Sequence, residues 1–169
     1  MTMHSTPTGG YGHGRSIAPA IDDPTKVHQP PTFVIGNRVF VASIKRSVEH
    51  GGQFHVIGAF TMEDLETRVR RTLMLGQRPL VAVIHEPRGE EKAAGEAAHT
   101  VLKTYPQCGI VLITGGELDA ATERRIGPHD FPAVVVSDTA VRNPKSLMAS
   151  MHSAIELAAR GNGRLSDVA

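Results

Sequence analysis

The side chains best suited to chemistry lie at the ends of apolar runs. His85 ends the run 79–85, and Thr114 lies near the end of the run 109–116. A histidine can bind a metal or accept a phosphoryl group, but a metal site needs further ligands at a defined spacing, and none accompanies His85. We therefore favour a half-exposed histidine in a small polar pocket over a metal ligand or a phosphohistidine.

Other candidates for catalysis or anion binding are weak. The single cysteine, Cys108, cannot form an internal disulfide, and without a close cationic neighbour it is predicted to be a buried, inert thiol. Gly115 and Gly116 could form a small anion-binding nest, although a plain turn is commoner. The sequence contains no G-x-S-x-G, no P-loop and no G-x-G-x-x-G after a predicted strand. We therefore predict no catalytic residues and no enzymatic activity.

Length and charge narrow the class of protein. The chain has 169 residues and a formal net charge of +1, which fits one domain with a tail and gives no electrostatic case for binding nucleic acid or a membrane. Arg68, Arg70 and Arg71 share a predicted helix with acidic residues and are interpreted as a solvated face. The sequence shows no apolar run of the ~20 residues that a membrane helix needs, and no apolar stretch typical of a signal peptide. We expect a cytoplasmic protein.

The first 30 residues differ in composition from the rest. They are rich in proline, glycine, serine, threonine and histidine and lack apolar periodicity, so we predict a disordered tail over 1–30. His4, His13 and His28 are scattered there without metal-ligand spacing.

Five apolar runs alternate with amphipathic segments from residue 31 to about 160. The predicted strands are 32–35, 54–60, 79–85, 109–116 and 132–138. Helices are predicted between them, with a short fourth helix at 118–127 and a fifth that starts at Pro144 and ends at Gly161 and Gly163. The buried stripes are predicted to use Phe40, Ile44 and Val48 in the first helix, Met62, Leu65, Val69 and Leu73 in the second, and Leu147, Met151, Ala154, Ile155 and Ala158 in the fifth. Such alternation predicts a five-stranded parallel sheet, doubly wound as (βα)5, with helices on both faces.

Several of these segments resemble one family in order and spacing. The segment VFVASIKRSVEHGGQFHVIGAF resembles the first helix and second strand of receiver domains of LuxR/NarL-type response regulators, while RPLVAVIH, IVLITGG and VVVSD resemble their third, fourth and fifth strands. The resemblance runs from about residue 32 to the end of the chain and implies a CheY/flavodoxin-like fold. The closing GNGRLSDVA resembles the linker, here starting at 161, that in the family leads to a helix-turn-helix DNA-binding domain, which this chain does not contain.

The resemblance also implies where a phosphorylation pocket would lie. Receivers carry a phosphoacceptor aspartate after the third strand, an acidic pair that helps to hold Mg²⁺, a switch hydroxyl and a lysine. Here those positions hold His85, Gly36 with Asn37, Thr114 and Ser137. Only Thr114 is of the residue type that receivers have at that position, and we interpret it as a relic. Glu86, the one acid beside His85, is predicted to point away from it. We therefore expect a degenerate receiver with no metal and no cofactor.

Two functions remain open at this point. One is a phosphorylation-independent signalling module that dimerises or binds a protein partner and contacts DNA only through a helix-turn-helix domain outside this chain. Met148, which falls off the predicted stripe of the fifth helix, is a candidate contact for that partner. The alternative is a small-ligand sensor that uses the degenerate pocket, lined by Gly36, His85, Gly115 and Ser137. An enzyme of another flavodoxin-like type is disfavoured.

Overall fold

The computed structural model describes residues 29–115 and 131–166, without the side chains of residue 140 and of 162–166. The strands are β1 (Pro31–Ile35), β2 (His55–Ala59), β3 (Val81–Glu86), β4 (Gly109–Thr114) and β5 (Val134–Ser137). The helices are α1 (Arg38–His50), α2 (Met62–Met74), α3 (Glu91–Thr104) and α4 (Pro144–Ser166), with a 3₁₀ turn at Ala140–Arg142. The predicted fourth helix at 118–127, and residues 1–28 of the predicted tail, lie outside the described residues.

The five strands form one parallel sheet in the order β2-β1-β3-β4-β5. This arrangement confirms the predicted doubly wound α/β fold. All five strands run in the same direction, so their carboxyl ends meet at one edge of the sheet, where ligands bind in open α/β folds.

The core is divided by the sheet into two clusters. On one face, Phe33, Ile84 and Leu112 pack with residues of α2 and α3. On the other face, Val34, Val83 and Ile113 pack with residues of α1 and α4. Alternate residues of each central strand thus enter opposite clusters, as the pleat requires, and the near-continuous apolar runs follow because both faces are covered.

The ends of two elements differ from the sequence prediction. Strand β3 begins at Val81 rather than residue 79 and includes Glu86. Helix α4 continues through Gly161 and Gly163 to Ser166, so the predicted ending was wrong. Gly161 does not adopt the positive φ with which a glycine caps a helix, and a glycine within a helix lowers its stability by only about 1 kcal/mol relative to alanine.

Some of the residues that face the core also differ from the sequence prediction. Leu73, predicted to be buried, is 55% exposed, and Thr72 faces the core instead. Leu65, Val69 and Thr72 follow the helical period, whereas Leu73 lies one residue beyond it. In α1, Val41 is buried together with Ile44 and Val48, while Phe40 is only half-buried, at the carboxyl edge of the sheet.

Two described residues before β1 bond to the rest of the domain. The Pro30 carbonyl accepts a hydrogen bond of 3.3 Å from His55 N, and the side-chain amide of Gln29 donates one of 2.6 Å to the Gly52 carbonyl. Gln29 and Pro30, which the sequence assigned to the predicted tail, therefore contact the domain. In the ranges described here, none of the helices has the length and apolar character that a bilayer crossing requires.

Candidate functional site

The carboxyl edge of the sheet brings all the predicted pocket positions into one row. Ile35 of β1 pairs with Ile84 of β3, which places Gly36 level with His85. Glu86 of β3 pairs with Thr114 of β4, and Thr114 pairs with Ser137 of β5. The register therefore gathers along one edge the positions that the sequence marked.

His85 is covered by an aromatic ring. Its imidazole stacks on Phe40 with ring centroids 4.4 Å apart and an interplanar angle of 11°. Phe40 lies in the first turn of α1, directly after the carboxyl end of β1. This contact was missed from sequence, where Phe40 was assigned to the buried helix stripe.

Gly36 is required by this stack. A Cβ at position 36 would lie 2.6 Å from Phe40 Cδ1 and 2.9 Å from His85 Cβ, closer than side-chain carbons approach one another. The place where an acid at position 36 would begin is thus occupied by the two stacked side chains. A side chain at position 36 and the Phe40 ring in its present place therefore exclude each other.

Asn37 is the N-cap of α1. Its side-chain oxygen accepts a 2.9 Å hydrogen bond from Phe40 N, and its backbone is extended, as expected for a cap. A cap of this kind typically contributes about 1 kcal/mol. The same hydrogen bond fixes the backbone of Phe40, so Asn37 helps to position the stack.

A magnesium ion does not fit these residues. Mg²⁺ prefers hard oxygen ligands, usually including one or two carboxylates. Gly36 has no side chain, the Asn37 oxygen is engaged in the cap, and His85 offers a nitrogen. Over residues 29–115 and 131–166, no group of three histidine, cysteine, aspartate or glutamate side chains is placed to hold a metal.

The side chain of Glu86 does not lie beside that of His85. Along β3, Ala82 and Ile84 enter the cluster with α2 and α3, whereas Val81 and Val83 enter the cluster with α1 and α4. Glu86 shares the parity of the first pair, so its side chain starts on the sheet face opposite His85. It is also buried, with 8% of its surface exposed.

At the β4 and β5 end of the row, the polar groups are side-chain hydroxyls and backbone groups. The Ser137 and Thr139 hydroxyl oxygens lie 2.8 Å apart in a hydrogen bond, and Asp138 N donates to the Thr114 carbonyl at 2.9 Å. Thr114 itself is half-buried, and Gly115 is exposed. Gly116, the other member of the suggested nest, lies outside the described residues.

Cys108 is buried as predicted. Burial raises the pKa of its thiol to about 12. The nucleophilic thiolate is therefore scarce near neutral pH, and the residue has the properties of a packing side chain.

Met148 does not lie on an open surface. It is half-buried and packs against the cluster between the sheet and α1 and α4. Its Cε lies 3.9 Å from the position of a Cβ added at Gly51. Met148 was predicted to fall off the buried stripe, but the end of α1 covers this part of α4. Its role as a partner contact stays a prediction. A charge at this position would disturb packing and could not test an interface by itself.

Solved structures that match this chain include response regulator receiver proteins. A response regulator receiver protein from Sinorhizobium medicae matches 78% of this chain and 98% of its own, with a TM-score of 0.53 and 12% identity. The chain has the receiver fold. A receiver domain protein from Clostridium thermocellum matches 75% of this chain and 94% of its own, with a TM-score of 0.53 and 16% identity.

A further receiver-fold relative carries the modification in question. A response regulator from Burkholderia pseudomallei, solved with a phosphorylated aspartic acid, a calcium ion and citrate, matches 82% of this chain and 75% of its own, with a TM-score of 0.53 and 15% identity. No protein-family model matches this chain, and no curated protein matches it. At these identities the likeness concerns the fold alone.

Proposed function

We propose that this chain is a receiver-type signalling module that works without aspartyl phosphorylation and acts by dimerising or by binding a protein partner in the cytoplasm. The observation that carries the proposal is the stack of Phe40 on His85 beside Gly36. Transfer of a phosphoryl group needs a nucleophile and neutralisation of charge on the phosphoryl oxygens. Gly36, Asn37 and His85 supply no carboxylate for either task, and the ring lies where the first acid would start.

The segments that resemble LuxR/NarL-type receivers support a finer proposal. The module would be the regulatory half of a transcriptional regulator of that type, and contact with DNA would require a helix-turn-helix domain outside this chain.

The small-ligand alternative would need an open crevice between Gly36 and His85, where the Phe40 ring lies. The packing therefore favours the binding module over the sensor.

A titration with magnesium and beryllofluoride, a mimic of the phosphoryl group, tests the proposal at the level of single residues. In ¹H–¹⁵N spectra, the amides of Gly36, His85 and Thr114 are expected to keep their positions at millimolar magnesium and excess beryllofluoride, because no carboxylate anchors either species. A receiver with a complete acidic cluster, titrated in parallel, serves as the positive control. Saturable shifts confined to these three amides would show a working phosphoryl site and would refute the proposal.

A further inference from the structure

A shallow groove runs along the outer edge of β2, beside α1. It has a cavity volume of about 380 Å³. Its apolar part is formed by Val41, Val56 and Phe60, and its basic part by Arg38, Lys45 and Arg68. We call it the edge groove. It is lined by residues of β2, α1 and α2, whereas the row of pocket positions follows the carboxyl edge of the sheet.

The backbone of β2 is open toward this groove. Strand β2 is at the edge of the sheet and, among the strands described, pairs with β1 alone. His55 N donates to Pro30, and the Ala59 carbonyl accepts from Gly36 N, so the odd-numbered residues of β2 bond to β1. In a parallel pair, alternate residues face the neighbouring strand. The N–H and C=O groups of Val56 and Gly58 therefore point outward, as a template for another strand.

Gly58 of β2 lies against α1. A Cβ at position 58 would lie 2.7 Å from Cγ1 of Val41 on α1. The glycine thus lets α1 approach β2 closely and leaves the backbone at position 58 uncovered by a side chain of its own.

Positive charge surrounds the edge groove. Arg38 and Lys45 are exposed and share one face of α1, two helical turns apart. The Arg38 guanidinium lies 5.6 Å from the centre of the Phe60 ring. Arg68 Nε lies 3.5 Å from Asp64 Oδ1, and Asp64 Oδ2 accepts a hydrogen bond from Phe60 N. Three cations thus line the groove, and the carboxylate beside them, Asp64, already accepts from the backbone and contacts Arg68.

We propose that the edge groove binds an extended, acidic segment of a partner protein, which adds a strand to the free edge of β2. Backbone hydrogen bonds to Val56 and Gly58 would hold the segment. Its acidic side chains would lie on the α1 face and meet Arg38 and Lys45, and the alternate apolar side chains would lie on the opposite face beside Ile57. Charge complementarity selects this occupant over a neutral or basic one. The inference rests on the proposed function in that it names the kind of partner through which the module acts.

The test uses the full chain and a short, fluorescently labelled peptide in which valine alternates with glutamate. Fluorescence anisotropy is expected to show saturable binding, with amide hydrogen exchange slowed at Val56 and Gly58. Lys45→Glu is expected to weaken binding roughly tenfold. The matched control is Lys92→Glu on α3, which makes the same change in net charge at a side chain that is 93% exposed and absent from the groove lining. It should leave the affinity unchanged.

Each contrary outcome has a distinct meaning. Equal weakening by both variants, equal binding of a valine–lysine peptide, or protection of amides away from β2 would overturn the proposal. Tighter peptide binding after deletion of residues 1–28 would show that this segment of the chain is the occupant. A dimer in sedimentation velocity that the peptide dissociates would show that a second copy is. None of these readouts depends on phosphorylation, so this inference and the phosphorylation-independent mechanism can fail separately.

Discussion

Gly109→Ala is expected to lower the free energy of unfolding by about 3 kcal/mol, the upper part of the usual range for adding a methyl group to a filled core. The added Cβ would lie 2.6 Å from the carbonyl carbon and oxygen of Ala154 and 2.9 Å from Ile155 N. These are backbone atoms of α4, which cannot rotate away as a side chain can. The helix as a whole must move, and the buried contacts of Leu147 and Met151 with the sheet loosen with it.

Urea unfolding of the parent protein and the variant measures this loss. Gly115→Ala is the matched control, because it makes the same change just beyond the other end of β4, where an added Cβ meets nothing within 4 Å. Its effect should stay within about 0.5 kcal/mol, as for other surface substitutions. Similar effects of the two substitutions would contradict the close approach of α4 to β4.

Gly36→Asp is expected to lower the free energy of unfolding by about 2 kcal/mol, since the new side chain overlaps the stacked rings. The effect should be smaller in a Phe40→Ala background, with a coupling of about 1 kcal/mol in the double-mutant cycle. Relief should be partial, because the contact with His85 Cβ at 2.9 Å remains.

Equilibrium unfolding of the two single variants and the double variant gives the coupling. Gly36→Ala in the same two backgrounds separates the overlap of the Cβ from the effect of the new charge, and it should show a similar coupling. Additive effects of Gly36→Asp and Phe40→Ala would mean that the ring does not occupy the place where an acid would begin.

The strands could be predicted from the sequence because each of them depends on a local pattern. Every position of β3 that a helix covers is apolar. Such a near-continuous apolar run indicates a central parallel strand from sequence alone. The N-cap of α2 is equally local, because the Thr61 hydroxyl oxygen accepts a hydrogen bond from Asp64 N, three residues further on. The receiver positions followed from resemblance, and the register then placed them along one edge.

The packing of side chains at that edge could not be predicted from local sequence pattern. Gly36 resembled an ordinary strand-ending glycine, and Phe40 resembled one more apolar residue of a helix stripe. The role of these two residues depends on His85. His85 is distant in the chain and lies beside them only because β1 pairs with β3. The exposed edge of β2 was unreadable for the same reason, because the order of strands decides which of them has a free side.

Incubation with acetyl phosphate and magnesium, followed by intact mass spectrometry, tests the central claim most directly. This chain is expected to keep its unmodified mass under conditions in which a receiver with a complete acidic cluster gains a phosphoryl group. The reason is that Gly36, Asn37 and His85 offer neither the nucleophilic carboxylate nor the metal ligands. A stoichiometric phosphoryl adduct that maps to any residue of β3 would contradict a phosphorylation-independent module.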